Sequence, residues 1–190
     1  MLTITRRNDN RFVKCIEHRI ADIRGGVGVK VGNLGGSVLC EGTPIGYDSS
    51  TGLYKVVKTA KVLSDADASA TTIEVAKGHH FKAGDYLTFG TSAKGQVIAS
   101  IDKSDASKDV ITLSATLGVA IKAGAVLFEV TGNNTTKPVT PTAIVGDSYD
   151  VVNGENLFVN AWVIATVKTA NCGVAFDDAI KSALKCIAFV

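Results

Sequence analysis

Apolar and polar residues alternate in short runs along much of the chain, and turn-forming residues separate one run from the next. Between residues 85 and 130, the runs DYLTF, GQVIASID, DVITLS and AVLFEV each have the length and composition of a strand. Strands that follow one another at this spacing are typical of a small β-barrel or sandwich. The pattern therefore predicts a mainly β protein whose core is a small β-barrel or sandwich.

A seven-residue pattern occurs twice within this region, as FKAGDYL in residues 81–87 and as IKAGAVL in residues 121–127. In both copies an apolar residue precedes Lys-Ala-Gly, and a leucine follows the glycine. A strand-like run lies on either side of each copy, and glycine suits a turn that requires a positive φ angle. We therefore predict that Gly84 and Gly124 are structural turn residues in a strand-turn-strand unit that the chain uses twice.

A proline-containing linker separates the strand-rich region from the C-terminal part of the chain. Residues 131–143, TGNNTTKPVTPTA, contain two of the three prolines, which is typical of a connecting segment. Because strand-like runs both precede and follow the strand-rich region, we predict that residues 61–130 form an inserted second β domain. The core domain is then discontinuous and consists of residues 25–60 and 144–190, while residues 1–24 form a basic N-terminal arm.

Two segments have the periodicity of a helix. The first is weak and lies in residues 11–23, where apolar residues recur at intervals of three, four and three. The second, FDDAIKSALK, has acidic residues near its start and lysines toward its end, which is the order that a helix dipole favours. The sequence thus predicts one or two short helices. The apolar positions are Val13, Ile16, Ile20 and Ile23 in the first segment and Phe176, Ile180 and Leu184 in the second.

The composition is apolar. Hydrophobic residues make up 46% of the chain and charged residues 20%, whereas charged residues usually reach about a quarter. No apolar run approaches the roughly 18 residues of a membrane span, so the excess must be buried in a core or covered by partner subunits. The start of the chain lacks the apolar centre of a signal peptide, which favours synthesis in a cytosol. There the cysteines are expected to be buried free thiols. They are Cys15, Cys40, Cys172 and Cys186.

Positive charge is concentrated at the N-terminus, where the first 24 residues hold every arginine of the chain. Arginine is preferred to lysine where a side chain must make planar, bidentate contact with carboxylate or phosphate. The arm is therefore either a solvated basic segment or a segment that docks on an acidic surface. It lacks interleaved aromatic residues, which argues against specific nucleic-acid recognition. The five candidate contact residues are Arg6, Arg7, Arg11, Arg19 and Arg24.

No motif in the sequence predicts catalysis, a metal or a cofactor. Adjacent histidines on a strand point in opposite directions, so His79 and His80 without a third ligand are interpreted as part of a solvated loop. The glycine-rich stretch GGVGVKVG departs from the dinucleotide-binding spacing. The acidic stretch SDADAS lacks the glycine and the distal glutamate of a calcium loop. We therefore expect a protein that is not an enzyme and has no cofactor.

The C-terminal stretch ENLFVNAWVIATVKTANCGVAFDDAIKSALKCIAFV is the most distinctive part of the chain. Its order of a buried strand, an IKxAL helix and a closing strand resembles the capsid (head) decoration proteins of tailed bacteriophages, in particular those of Bacteroidetes phages and prophages. The region VLCEGTPIGYDSSTGLYKVVKTAKV is similar to the opening turn of those proteins. The inserted region resembles small β domains of phage structural proteins, in which F-x-x-GD-x-L recurs, here as Phe81, Gly84, Asp85 and Leu87.

This resemblance implies a structural virion protein without catalytic residues. Such a head auxiliary subunit would be made in the cytoplasm of a bacterial host, self-associate, often as a homotrimer, and bind the major capsid protein on the capsid surface. The arginine-rich arm would then bind to the capsid shell. Neither a membrane nor specific nucleic acid would be a partner. The inserted domain departs from compact decoration proteins. It leaves open an alternative, a binding module such as a head fibre that holds a carbohydrate or a host surface.

Overall fold

A computed structural model describes residues 14–91, 93–152 and 155–190. These residues form a mainly β protein, as predicted, with one short α-helix, α1 (Asp178–Ala183), and a 3₁₀ turn at Thr169–Asn171. The strands of the first part of the chain are β1 (Ile16–Asp22), β2 (Val27–Lys30), β3 (Val38–Leu39), β4 (Pro44–Asp48), β5 (Leu53–Val56), β6 (Thr59–Lys61), β7 (Thr72–Ala76) and β8 (Tyr86–Thr88). The later strands are β9 (Gln96–Asp102), β10 (Lys108–Leu113), β11 (Val126–Val130), β12 (Ala143–Val145), β13 (Tyr149–Asp150), β14 (Leu157–Val159), β15 (Ala161–Val167) and β16 (Ile187–Phe189).

The first sheet brings together strands from both ends of the chain. Its order is β1-β15-β12-β4-β5-β2-β14, and β16 runs parallel to β15. Alternate residues of the strands point into one core, as strand geometry requires, and among them Val29, Ile45 and Val145 are fully buried. β3 and β13 form a separate two-stranded sheet beside it.

The second sheet consists of β6-β11-β8-β9-β10-β7 and uses only residues 59–130. A bridge between Val62 and Val75 joins the chain after β6 to β7, the strand at the opposite edge. The sheet therefore curls back on itself and encloses its own apolar core. That core includes Leu87 and Leu127, the leucines of the repeated seven-residue pattern.

The chain enters the second sheet through β6 and leaves it through β11, and residues 131–142 then lead back to the first sheet. β6 pairs with β11, with Thr59 opposite Phe128. Thr59 and Ala60 were assigned to the core domain from the sequence, but they are hydrogen-bonded into the second sheet. The change from one sheet to the other thus falls at Val57 and Lys58.

The helix predicted within residues 11–23 is wrong for the part that the structure describes. Ile16–Asp22 is strand β1, which pairs antiparallel with β15 and forms an edge of the first sheet. Register shifts along this pairing are typical of β-bulges, and they break the two-residue alternation of a regular strand. Ile16 is buried but Ile20 is 68% exposed, so the apolar residues do not form one helical face. Residues 16–22 therefore belong to the core sheet and not to a separate arm.

Helix α1 has the start that the sequence predicts. Asp177 is its N-cap, and its carboxylate accepts a hydrogen bond from the Ile180 backbone N–H at 2.7 Å. Ile180 and Leu184 are buried against the first sheet, so the predicted apolar face is confirmed. Within the described ranges, no helix is long and apolar enough to cross a lipid bilayer.

The two Lys-Ala-Gly turns have the same construction. Gly84 has a φ angle of +92° and Gly124 one of +87°, a region that side-chain-bearing residues rarely adopt. A carboxylate holds each turn by accepting a hydrogen bond from its backbone. Asp85 accepts from the Lys82 N–H at 2.9 Å, and Asp65 accepts from the Ala123 N–H at 2.8 Å.

Candidate functional site

A cleft of about 480 Å³ lies where the second sheet faces the C-terminal segment. β6, β11 and residues 76–79 form one wall, and residues 169–176 with Lys181 of α1 form the other. Among the described residues that line it, the charged side chains are lysines, namely Lys61, Lys77 and Lys181, and none is acidic. The cleft is therefore a basic recess between two parts of the fold that have separate apolar cores.

His79 is a buried residue that lines this cleft. Its Nε2 is 3.0 Å from an Asp109 carboxylate oxygen, and its Nδ1 accepts the Phe81 backbone N–H at 3.2 Å. The second Asp109 oxygen is 2.5 Å from the Lys77 ammonium. Burial lowers the pKa of His79, and Asp109 opposes this effect. In a neutral His79 the Nδ1 lone pair is thus used by the Phe81 N–H and the proton lies on Nε2, whose contact with Asp109 lacks the alignment of a hydrogen bond.

His80 is almost fully buried beside the loop that holds Gly35. Within the described residues, neither of its ring nitrogens has a hydrogen-bond partner. Burial lowers the pKa of His80 to about 4, and His79 acts in the same direction. The His80 carbonyl accepts a hydrogen bond from the Gly35 N–H at 2.8 Å. The interpretation of the two histidines as a solvated loop is therefore wrong, because they form part of the contact between the two sheets.

Lys58 is a buried cation at the crossover between the sheets. Its ammonium lies 2.7 Å from an Asp85 oxygen and 3.0 Å from a Glu129 oxygen, and its side chain has no exposed surface. Burial raises the pKa of Glu129, and the Lys58 charge opposes this rise. These ion pairs connect Lys58, where the chain passes between the sheets, to the first Lys-Ala-Gly turn through Asp85 and to β11 through Glu129. Sequence reasoning missed it, because a lysine between Val57 and Thr59 looks like a solvent-facing strand residue.

The five arginines that the sequence predicts to contact a partner do not share one environment. Arg19 is engaged within the chain: its guanidinium donates to the Gly146 carbonyl at 2.7 Å and pairs with Glu41 and Asp147, each at 3.2 Å. Arg24 is exposed in the turn after β1. Arg19 thus stabilises the edge of the first sheet, whereas Arg24 faces solvent. The other three, Arg6, Arg7 and Arg11, lie outside the described residues.

All four cysteines are free thiols, but not all are buried. Cys15 and Cys40 are buried, Cys172 is half-buried and Cys186 is exposed, so the prediction of burial fails for the last. A Cβ placed on Gly42 would lie 2.5 Å from the Cys15 sulfur and 3.2 Å from the Cys172 sulfur. The neighbouring Cys15 thiol and burial both raise the pKa of Cys172, which keeps it protonated and unreactive at neutral pH.

Several large apolar side chains remain on the surface. Ile20 on β1 and Ile164 on the neighbouring β15 are 68% and 37% exposed. Phe158 on the opposite edge strand, β14, is 65% exposed. Both edges of the first sheet therefore present apolar groups to solvent, as surfaces that meet other subunits often do.

No protein-family model matches this chain, and comparison with curated proteins and with solved structures gives no significant match. Within the part of the chain that the structure describes, no three His, Cys, Asp or Glu side chains are grouped so that they could hold a metal ion. The notable local features are thus the basic cleft, the buried Lys58 group and the exposed edge strands.

Proposed function

We propose that this protein is a structural subunit of a bacteriophage virion, a capsid decoration protein that binds and stabilises the lattice of the major capsid protein. The observation that carries the proposal is strand β1. It is an edge strand with four consecutive exposed residues, Glu17 to Ile20, so both of its faces are open to solvent. An edge of this kind can pair with a strand of another subunit, and the hydrogen bonds of the backbone then supply much of the contact.

The side chains around β1 support a contact with another protein. Ile20 and Ile164 provide apolar surface, and Arg24 provides an exposed positive charge at the end of the strand. The arginines of residues 1–13 precede this edge along the chain and add charge for an acidic surface. Each exposed ion pair contributes little, but many symmetry-related copies on one shell multiply the effect.

Decoration would act by mass action. A subunit that binds only the assembled lattice stabilises that lattice by its binding free energy. Self-association into a homotrimer on the capsid surface would place three copies of β1 around one axis, since cyclic assemblies repeat the same contact. This mechanism requires no catalytic residue and no cofactor.

Co-sedimentation with empty, expanded capsids tests the proposal. The Ile20→Glu variant should fold normally, because this side chain is mostly exposed, but it should lose lattice binding. The Leu63→Glu variant is the matched control, because Leu63 is 42% exposed and lies two residues after β6, away from β1 in the sequence. Binding by the native protein and by the control, but not by Ile20→Glu, would support the proposal. A native protein that stays in the supernatant would refute it.

Native mass spectrometry tests the assembly separately. The purified protein should give a trimer, and Ile20→Glu should shift it toward monomer if β1 also joins the copies to one another. A native chain that remains a monomer at all concentrations would contradict the homotrimer.

A further inference from the structure

The basic cleft has the size and position of a small-molecule site. Its volume of about 480 Å³ falls in the range of roughly 300–1,000 Å³ that ligand sites occupy, and such sites often lie between two structural units. One wall belongs to the second sheet, and the other to the segment between β15 and α1. A ligand here would touch both units at once.

Two ammonium groups of the cleft lack an acidic partner. Lys77 is neutralised by Asp109. Within the described residues, Lys61 and Lys181 form no ion pair. The Lys181 ammonium lies 5.9 Å from the centre of the Phe189 ring. No described lining residue has an acidic side chain, and Lys61 and Lys181 therefore make the recess basic. It therefore favours a ligand that carries carboxylate or phosphate oxygens.

The neutral groups of the cleft fit a ring that carries hydroxyl groups. The Thr59 hydroxyl donates to the Ala175 carbonyl at 2.8 Å, and the Thr169 hydroxyl donates to a main-chain oxygen of Val190 at 3.1 Å. Since each donor is used, both threonine oxygens are left as acceptors. Phe176 adds an apolar surface to the same recess. Acceptors and an apolar face suit the hydroxyl groups and the C–H face of a sugar.

We propose that this cleft binds a hexose-sized anion, a sugar that carries a carboxylate or a phosphate. Lys61 and Lys181 hold the anionic group, the threonine oxygens accept hydrogen bonds from the sugar hydroxyls, and Phe176 contacts the ring. This site is independent of the capsid role, because it lies on the second sheet and the C-terminal segment and not on β1. It gives the inserted domain a binding activity of its own.

Isothermal titration calorimetry with four probes tests the proposal. Glucuronate and glucose 6-phosphate supply the two kinds of anionic group, glucose lacks the charge, and inorganic phosphate lacks the ring. At least one of the two acidic sugars should bind at least tenfold more tightly than glucose and than inorganic phosphate. The tighter of the two identifies the anionic group.

Three variants connect the binding to the cleft. Lys61→Gln and Lys181→Gln should each weaken the acidic sugar about tenfold, because each removes one charge-assisted hydrogen bond. Ala170→Trp should abolish binding by filling the cleft without a change of charge. Lys94→Gln is the matched control, since Lys94 is exposed and lies outside the lining. Thermal melting of each variant verifies that it is folded.

Three results would overturn the proposal. The first is equal binding of glucose and of the acidic sugars, and the second is binding of inorganic phosphate as tight as that of the sugars. The third is the absence of binding by every probe. None of them would bear on lattice binding through Ile20, which co-sedimentation measures with no sugar present.

Discussion

Gly35 offers the sharpest test of how the two sheets are joined. It lies on the loop between β2 and β3, and its N–H donates to the His80 carbonyl. A Cβ placed on Gly35 would lie 2.0 Å from the Phe81 carbonyl oxygen and 2.7 Å from the carbonyl carbon. Ordinary contacts begin at about 3.4 Å. In a Gly35→Ala variant, the loop and the second sheet must therefore separate by more than about 1 Å.

The cost of this separation follows from the groups that it disturbs. Phe81 is fully buried in the second core, so its backbone cannot move without repacking that core, and overpacking typically costs about 1–3 kcal/mol. Loss of the Gly35–His80 hydrogen bond adds about 1 kcal/mol. We expect Gly35→Ala to lower the free energy of unfolding by about 2–4 kcal/mol.

Urea unfolding followed by circular dichroism measures this difference, with Gly32→Ala as the control. Gly32 lies on the same loop, its φ is not in the left-handed region, and a Cβ there would meet nothing within 4 Å. Its substitution should change the free energy of unfolding by no more than about 0.5 kcal/mol. If Gly35→Ala unfolds at the same urea concentration as Gly32→Ala, the described contact between the sheets is wrong.

Three further predictions concern the core and the turns. Lys58→Met should lower the free energy of unfolding in urea by about 3–5 kcal/mol, because it leaves two largely buried carboxylates without their cation. The control, Lys82→Met at an exposed site, should leave the free energy of unfolding almost unchanged. Equal losses in the two variants would contradict this prediction. The low pKa of His80, about 4, against an ordinary value of about 6.5 in the unfolded chain, means that folding favours the neutral ring. The contribution of the neutral His80 ring to the free energy of unfolding is therefore fully present above pH 6.5. As the pH falls from 6.5 toward 4, the free energy of unfolding decreases by about 3 kcal/mol. The unfolding free energy of the native protein relative to His80→Gln should decline accordingly, and a constant difference from pH 7 to pH 4 would exclude this role. Gly84→Val should lower the melting temperature measured by calorimetry. The φ angle of Gly84 is +92° and the space around it is open, so the cost is backbone strain, about 1–2 kcal/mol, and not a steric clash. An unchanged melting temperature would contradict the turn assignment.

The features that sequence reasoning predicted correctly are encoded locally. Helix α1 needs only an acidic N-cap and an apolar face within ten residues, and both are visible in FDDAIKSALK. Strands β8 to β11 of the second sheet coincide with the four apolar runs that the sequence pattern predicts as strands. Strand β1 was predicted as a helix because its bulges disturb the two-residue alternation of a strand. The four-residue spacing of Ile16 and Ile20 is then the spacing of a helix.

The candidate site depends on contacts between distant parts of the chain, and local patterns do not record them. Lys61 and Lys181 line the same cleft although 120 positions separate them in the sequence. His79 is buried in a loop and lies against Asp109 of β10, 30 positions later in the chain. The residue type of Cys186 predicts burial, but this cysteine follows α1 at an exposed position. Residue type alone could not distinguish these cases.

The pairing of β6 with β11 has a consequence for how this protein could change. These strands are the entrance and the exit of the second sheet, and they run side by side, roughly 5 Å apart. A tight hairpin could close that gap, or the ends of an unrelated module could be grafted there, while the order of strands in the first sheet stayed intact. The junction is thus a natural boundary for exchanging the second sheet, and the contacts through Gly35 are what a replacement module would have to reproduce.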